Sequence, residues 1–266
     1  MGLFEKKTCD VCGEKIRLLG SRKLEDGNLC KTCEGKLSPW FTGRRKATVE
    51  DIRAQLRDRE ANRERLGAFT PTRTLGEGNR LLLDDEKGEF VVCINGHDLS
   101  DNPDVLNLSQ VTDCQVDVER SRTEETTRDS EGKTVSYDPP RFTYSYRFLL
   151  TIVLDHPWFD EIRFQVNRHT VKIQTGMPIE TPGLIFSSLI KRYTPDVPDT
   201  DHSSEYQAAQ ALAEEMRRAL LRLDVREAQA APAPEDVISP VACPDCTAVS
   251  LPDENGCCPY CGRKLV

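Results

Sequence analysis

Eleven cysteines stand out in this sequence, because eight of them form two sets of paired Cys-x-x-Cys motifs. The first set has the spacing C-x2-C-x17-C-x2-C and the second has the spacing C-x2-C-x11-C-x2-C. A Cys-x-x-Cys turn presents two sulfur atoms, and two such turns complete a tetrahedral four-sulfur site for zinc. The spacing therefore predicts two Zn²⁺ ions per chain. Their predicted ligands are Cys9, Cys12, Cys30 and Cys33 for one ion, and Cys243, Cys246, Cys258 and Cys261 for the other.

Four sulfur ligands favour a structural metal over a catalytic one. A catalytic zinc keeps an open position and usually has histidine among its ligands. The four histidines are scattered, and the sequence lacks a phosphate-binding glycine loop, a His-Glu-x-x-His motif and a Gly-x-Ser-x-Gly motif. We therefore predict a non-catalytic protein. A redox-active Cys-x-x-Cys pair, disulfides and an iron–sulfur cluster are the alternatives for these cysteines.

The other three cysteines have weaker claims to a role. Cys257 is adjacent to Cys258 and is an alternative ligand, although the two-residue spacing of the other motifs favours Cys258. Cys93 and Cys114 lie in apolar, β-branched runs, and we expect both to be small buried hydrophobes.

Composition and charge indicate the cellular environment that the sequence favours. The mean hydropathy is -0.52, and no apolar run approaches the roughly 20 residues that a membrane-spanning helix needs. The N-terminus reaches a charged residue at once, which predicts no secretory signal and hence a reducing, cytoplasmic location. The net charge is -8, but residues 1–46 hold 11 Lys and Arg against 6 Asp and Glu, whereas residues 76–203 hold 13 against 23.

The region between the cysteine sets contains a helix and then a run of strands. Thr48 and Asp51 form a capping-box pattern, and no proline or glycine follows until Gly67, which predicts a surface helix that packs along a narrow apolar stripe. Short β-branched and aromatic runs between about residues 73 and 175 predict an antiparallel sheet, with a hairpin turn at residues 85–88.

Later segments are more varied. Residues 121–141 are polar and predict a solvent-exposed loop or hairpin tip. A short helix is expected among the prolines of residues 177–200. Apolar residues at helical spacing in residues 203–223 predict an amphipathic helix that closes on the sheet, with Ser203 or Ser204 as its cap.

Three parts of the chain resemble known families. Residues 1–75 resemble a bacterial zinc-ribbon family of unknown function, through Met1-Gly-Leu-Phe4, the first cysteine set and Lys36-Leu-Ser-Pro39. The middle of the chain resembles a bacterial pleckstrin-homology-like domain, through residues 105–116 and the closing helix. Residues 243–266 are similar to short bacterial zinc ribbons. The pleckstrin-like resemblance implies no particular binding residue.

Together these observations predict an α+β fold, in which a pleckstrin-homology-like antiparallel sheet domain closed by a helix is flanked by two zinc ribbons. The predicted boundaries are 1–46 for the N-terminal ribbon, 47–72 for a charged connecting helix, 73–225 for the sheet domain, 226–241 for a Pro/Ala-rich linker and 242–266 for the C-terminal ribbon.

We expect an intracellular interaction or adaptor protein with a protein partner. The candidate contacts are Trp40 and Phe41, with Arg44, Arg45 and Lys46 beside them. The alternative for Trp40 and Phe41 is packing on the ribbon or on the Thr48 helix. Nucleic-acid binding by the basic N-terminal ribbon is a second hypothesis, which the acidic middle domain opposes. A third is association of the pleckstrin-like domain with a membrane surface, which the same acidity opposes.

Overall fold

A computed structural model of the chain describes residues 7–17, 20–179, 193–223, 241–253 and 255–265. The chain divides into two compact units, Met1–Leu223 and Asp224–Val266. Most of the expected short helix within residues 177–200, and the linker at 226–241 except for its last residue, lie outside the described residues.

The first unit begins with a small cysteine-containing module. Strands β1 (Ser21–Lys23) and β2 (Asn28–Cys30) form an antiparallel hairpin, and the four-residue helix α1 (Lys31–Glu34) follows directly. Leu24 and Leu29 are buried together with three of the cysteines in a core separate from that of the larger sheets. A core this small rarely offsets the loss of chain entropy on folding, so the module needs another source of stability, such as a metal ion or contacts with the rest of the unit.

Helix α2 (Val49–Ala68) begins as the sequence predicts. The Thr48 hydroxyl accepts a hydrogen bond from the Asp51 backbone N–H at 3.2 Å, and the Asp51 carboxylate accepts one from the Thr48 N–H at 2.8 Å. The prediction of a surface helix with a narrow apolar stripe is wrong in one respect. The buried side chains of α2 are Ile52, Gln55, Arg59 and Asn62, and three of these four are polar.

The first sheet is a four-stranded antiparallel meander. Its strands, in order across the sheet, are β3 (Arg73–Leu75), β4 (Arg80–Asp84), β5 (Glu89–Cys93) and β6 (Val105–Asn107). The predicted turn at residues 85–88 is confirmed, with Gly88 at a φ of +65° that disfavours other residues. Residues 94–104 leave the sheet between β5 and β6 and approach the N-terminal module.

A long hairpin dominates the second sheet. Strand β7 (Val111–Arg128) pairs with β8 (Thr134–Leu154) almost throughout, so most of the polar segment at 121–141 is strand and only residues 129–133 form the tip. Of the two predicted alternatives, the long loop is wrong and the hairpin tip is confirmed, although the tip is shorter than predicted. Thr, Val and Tyr side chains in this segment suit a strand once a partner strand is present.

Two short strands complete the second sheet by pairing with β8, one near its C-terminal end and the other near its middle. They are β9 (Glu161–Gln165) and β10 (Val171–Thr175). Between them, the Asn167 side chain takes the place of a strand: its Oδ1 accepts from the Phe148 N–H at 2.9 Å, and its Nδ2 donates to the Tyr146 carbonyl at 3.3 Å.

Helix α3 (Ser204–Leu221) closes the core, with Ser203 as its N-cap. It contacts β7 and β8 and buries Ala213 and Met216 completely, in the same core as Phe90 of the first sheet and Phe148 of the second. The predicted closing helix is thus confirmed, and so is the mixed α+β class built mainly from antiparallel sheets. The pleckstrin-like fold remains a prediction.

The second unit contains the C-terminal cysteine set. In its described part, two strands of two residues each pair in antiparallel fashion, β11 (Val241–Ala242) and β12 (Val249–Ser250). An isolated antiparallel bridge joins Cys257 to Lys264.

Candidate metal centres and the adjoining cleft

The N-terminal cysteines come from three adjacent elements. Cys9 and Cys12 lie in a turn that Gly13 closes, with a φ of +75° and its N–H bonded to the Cys9 carbonyl at 2.8 Å. Cys30 ends β2 and caps α1, and Cys33 lies within α1. The Cys30 N–H donates to the Cys9 sulfur at 3.3 Å, so backbone amides point at the thiols as they do in zinc knuckles.

In each cysteine set, all four sulfur atoms lie within 4.8 Å of one another. The Sγ atoms of Cys12 and Cys30 are 3.8 Å apart, those of Cys243 and Cys261 are 3.5 Å apart, and Cys246 and Cys258 are separated by 3.7 Å. A tetrahedron with Zn–S bonds of about 2.3 Å has edges of about 3.8 Å. The three separations are close to this edge, so both clusters could hold a zinc ion, and the donors of each are the four predicted cysteines.

The C-terminal cluster repeats the turn geometry. The Gly262 N–H donates to the Cys258 carbonyl at 2.8 Å, and Gly262 has a φ of +73°. Thr247 takes the equivalent place after Cys246 with a φ of +61°. A β-branched residue is strained there, so the surrounding turn must hold it in place.

The geometry also separates Cys257 from Cys258. The Cys258 sulfur belongs to the four-sulfur cluster, whereas the Cys257 sulfur lies 3.7 Å from the Asn255 carbonyl and outside that cluster. The Cys257 N–H is bonded to the Asp253 carboxylate at 2.8 Å, which fixes this orientation. Cys258 is therefore the residue positioned as a ligand.

The thiols within each cluster differ in pKa. Burial raises the pKa of Cys9, but N–H donors from Cys12, Cys30 and Val11 outweigh it and lower this pKa to about 7. In the second unit, the backbone N–H groups of Tyr260 and Cys261 lower the pKa of Cys258 to about 7.

Other thiols in the clusters resist ionisation. Burial, together with the neighbouring thiols of Cys12 and Cys30, raises the pKa of Cys33 well above its usual range. The Arg263 N–H lowers the pKa of Cys261, but the thiols of Cys243 and Cys246 outweigh it and raise that pKa to about 12. Four thiolates at this distance repel one another, so a cation is needed to ionise them together.

Cys93 and Cys114 belong to neither cluster, as predicted. They are 1% and 2% exposed, respectively, and belong to apolar cores. Burial raises the pKa of Cys114 to about 12, so its thiol stays protonated and packs as a small apolar group.

A buried polar junction attaches the first cysteine module and α2 to the first sheet. Arg59 of α2 and Asp104, just before β6, form an ion pair of 2.6 Å with side chains only 9% and 10% exposed. Asp104 also accepts from the Ser38 hydroxyl at 2.8 Å. Asn62 bonds the Pro103 carbonyl at 2.7 Å and accepts from the Val105 N–H at 2.9 Å. The cysteine module and the sheet are thus linked by specific hydrogen bonds.

A cleft of about 620 Å³ lies beside this junction. Trp40, Phe41 and Arg44, three of the five predicted contact residues, line it. Trp40 is half-buried against the core of the large sheets, and Phe41 packs on the cysteine module and meets Trp158 edge to face at 6.4 Å.

Arg45 and Lys46 are exposed and are not part of the cleft lining. The opposite wall includes His97 and Asp101, whose side chains are 3.0 Å apart. Sequence reasoning missed these two, because nothing local connects residues 94–104 with the Trp40 segment.

One part of the chain matches a known family model. Residues 8–55 match the family model described as Domain of unknown function (DUF4428). The matched segment contains the first four-cysteine cluster and the start of α2, and so agrees with the predicted resemblance to a zinc-ribbon family of unknown function. No curated protein and no solved structure matches the chain. None of the helices that the structure describes is both long enough and apolar enough to cross a membrane.

Proposed function

We propose that this chain is a non-catalytic interaction or adaptor protein in which one zinc ion holds each four-cysteine cluster. The observation that carries the proposal is the grouping of four sulfur atoms in each cluster, all within 4.8 Å of one another. Four sulfur donors fill a tetrahedral shell and leave no position for a substrate or a reactive water. Each ion would supply folding energy to a module too small to fold on its own apolar core.

The adaptor part of the proposal is supported by the first unit. The cysteine module is attached to the first sheet, and the two together form a cleft of a size typical of binding sites. Three residues that the sequence singles out as contacts lie in that cleft. The finer assignment of the sheet region to a pleckstrin-like fold has the support of a four-stranded meander, a second sheet and a closing helix.

The His97–Asp101 pair is the feature of the cleft closest to a catalytic arrangement. A nucleophilic mechanism also needs a hydroxyl or thiol that the histidine can deprotonate. Ser38 lines the same cleft, but its hydroxyl donates to Asp104 instead. Thr42 lines the cleft too, but its hydroxyl makes no hydrogen bond to the His97 ring. We therefore keep the proposal non-catalytic.

Capture of a partner from the native cells under mild cross-linking tests the adaptor proposal. We expect the intact protein to recover one stoichiometric protein partner. Cys33→Ser should lose it, because the module that lines the cleft depends on Cys33. Cys257→Ser is the matched control and should retain it. Failure to recover any stoichiometric partner, or equal recovery by the two variants, would contradict the proposal.

Nucleic-acid binding is the second candidate, because Arg45 and Lys46 are exposed at the end of the basic N-terminal module. Arg22 and Arg44 contribute less, since both pair with Glu34. If phosphate contacts are real, affinity for an oligonucleotide should fall steeply with salt, and Arg45→Ala with Lys46→Ala should reduce that slope. Binding that is absent at low salt would reject this candidate.

A further inference from the structure

The second sheet carries a group of polar side chains on three neighbouring strands. Ser121 of β7 lies directly opposite Ser145 of β8, and Ser145 lies opposite Lys172 of β10. In the adjacent row, Glu119 of β7 lies opposite Arg147 of β8. Neighbouring strands are about 4.8 Å apart and alternate residues about 6.7 Å apart, so these side chains form a compact grid on the sheet.

The grid lies on the face of the sheet that points away from the core. Tyr144 and Tyr146, which flank Ser145 along β8, are buried in the main core. Because successive side chains of a strand point to opposite faces, Ser145 and Arg147 point outward. Arg120 points the other way, with its guanidinium 5.7 Å from the centre of the Tyr144 ring.

A cavity of about 350 Å³ lies over this face, and its lining includes the six residues of what we call the outer-face cluster: Glu119, Ser121, Ser145, Arg147, Thr170 and Lys172. Within the described part of the chain, four of these side chains make no hydrogen bond or ion pair, namely Ser121, Ser145, Thr170 and Lys172. The next row along the same face differs, because Thr143 and Gln174 both donate to the Glu125 carboxylate, at 2.5 and 2.9 Å. The lack of internal partners is thus not a general property of this face.

The charge of the outer-face cluster favours an anionic ligand. Lys172 has no carboxylate partner, and Arg147 gives only one of its five N–H groups to Glu119. Both oxygens of Glu119 are occupied, one by Arg147 at 2.5 Å and the other by Arg163 at 3.4 Å. Backbone carbonyls do not change this balance, because strand carbonyls lie in the plane of the sheet and point along it rather than out of its face.

Among anions, a phosphate monoester fits this arrangement best. It carries close to two negative charges near pH 7 and has three strong acceptor oxygens, so it can take hydroxyl, ammonium and guanidinium donors at once. A carboxylate has one charge and two oxygens. The outer-face cluster has three hydroxyls and two cations around one cavity, which is more than a carboxylate can use.

The openness of the cluster indicates what carries the phosphate. Its three charged side chains are all exposed, whereas sites for small molecules enclose about 70–90% of the ligand. A larger partner can cover the rest of the face with its own surface. A membrane is disfavoured, because residues 76–203 hold 13 Lys and Arg against 23 Asp and Glu and repel an anionic bilayer as a whole.

We propose that the outer-face cluster binds a phosphorylated side chain of a partner protein. Lys172 and Arg147 pair with the phosphate, and the three hydroxyls of the cluster donate to its oxygens. The proposal rests on the proposed adaptor function and adds the chemistry that the partner presents.

The test is an NMR titration of the isotope-labelled, zinc-loaded full chain with a short glycine–serine peptide that carries one phosphoserine. The same peptide with serine or with glutamate at that position is the comparison. We expect the phosphopeptide to shift the amide resonances of Ser145 and Lys172, and to leave that of Lys133 at the hairpin tip in place. It should bind at least about tenfold more tightly than the serine peptide, the effect of one hydrogen bond to a charged group, and inorganic phosphate should compete with it.

Matched variants test the role of the cations and hydroxyls. Lys172→Met should weaken phosphopeptide binding roughly tenfold, because it removes a charged donor. Lys133→Met removes the same charge from a position more than about 20 Å along the hairpin, beyond the screening length of about 8 Å at physiological salt, and should leave the affinity unchanged. Ser145→Ala should weaken binding roughly two- to tenfold, the effect of one hydrogen bond.

The proposal is overturned if the phosphopeptide causes no shift at Ser145 and Lys172 up to about 1 mM, or if the serine or glutamate peptide binds equally well. Equal weakening by Lys172→Met and Lys133→Met would also overturn it, because that result indicates general attraction without a site. Sedimentation with vesicles that contain phosphatidic acid, in the absence of phosphopeptide binding, would assign the face to a membrane instead. If the phosphopeptide fails while the intact protein still captures its native partner after phosphatase treatment, the assignment of the outer-face cluster is wrong and the adaptor function stands.

Discussion

Arg59→Met tests whether the Arg59–Asp104 ion pair is shielded from water, as the low exposure of its side chains indicates. The Arg59–Asp104 pair has side chains 9% and 10% exposed, and Arg59 also donates to the carbonyls of Asn102 and Lys36. Methionine keeps an unbranched stem and a similar helix propensity, so the substitution removes mainly the charge and its hydrogen bonds. It leaves the Asp104 carboxylate buried without its cation.

Removing one partner of a buried ion pair costs about 3–5 kcal/mol. For a unit of this size, that corresponds to a fall in melting temperature of roughly 6 to 20 °C. The same helix supplies a control, because Arg63 pairs with Glu60 at the same 2.6 Å distance but with side chains 59% and 67% exposed. Arg63→Met should cost about 0–1 kcal/mol.

Tryptophan fluorescence during denaturant unfolding of the zinc-loaded protein measures both effects. Both tryptophans lie in the first unit and pack against its main hydrophobic core, so the signal reports on this unit. A difference between the two variants below about 1 kcal/mol would mean that water reaches the Arg59–Asp104 pair, contrary to the reasoning. Adding Asp104→Leu to Arg59→Met should recover much of the loss, since an apolar pair leaves no charge buried.

Three other outcomes can be measured. Elemental analysis should find two zinc ions per chain, one fewer in Cys258→Ser and no change in Cys257→Ser; a loss in the second variant would exchange their roles. Burial lowers the pKa of His156, so the unfolded chain takes up a proton first, and stability should decline as pH falls below about 6.5; an NMR titration midpoint above that value would refute this. Asn167→Ala should cost about 1–3 kcal/mol in denaturant unfolding, because the Phe148 N–H loses its buried acceptor, and a neutral effect would show that water replaces the side chain.

The metal-site candidates were predictable from the sequence because their information is local. Two residues between paired cysteines fix the turn, and glycines such as Gly13 and Gly262 permit the positive φ that closes it. The start of α2 was predictable for the same reason, since Thr48 and Asp51 are three residues apart. Such patterns need no knowledge of distant parts of the chain.

The buried face of α2 was not predictable in this way. In the sequence, Gln55, Arg59 and Asn62 look like residues of a solvent-exposed face. Arg59 and Asn62 are buried because residues 102–105, some 40 positions later, supply their hydrogen-bond partners. Gln55 is buried as well, but its side-chain amide has no partner among the described residues. The strands within residues 121–141 were missed for a similar reason, because polar segments such as these form strands only when β7 pairs with β8.

The sequence by itself therefore determined which eight cysteines are grouped in fours, where the two long helices begin and that the sheets are antiparallel, because each of these depends on spacing within one segment. Only the tertiary structure decided that the Cys257 sulfur lies against the Asn255 carbonyl, that a charged helix binds the sheet through its polar side chains, and that Trp40 and His97 line one cleft. Those features arise where segments far apart in the chain meet, and the energy of a buried charge depends on what lies opposite it.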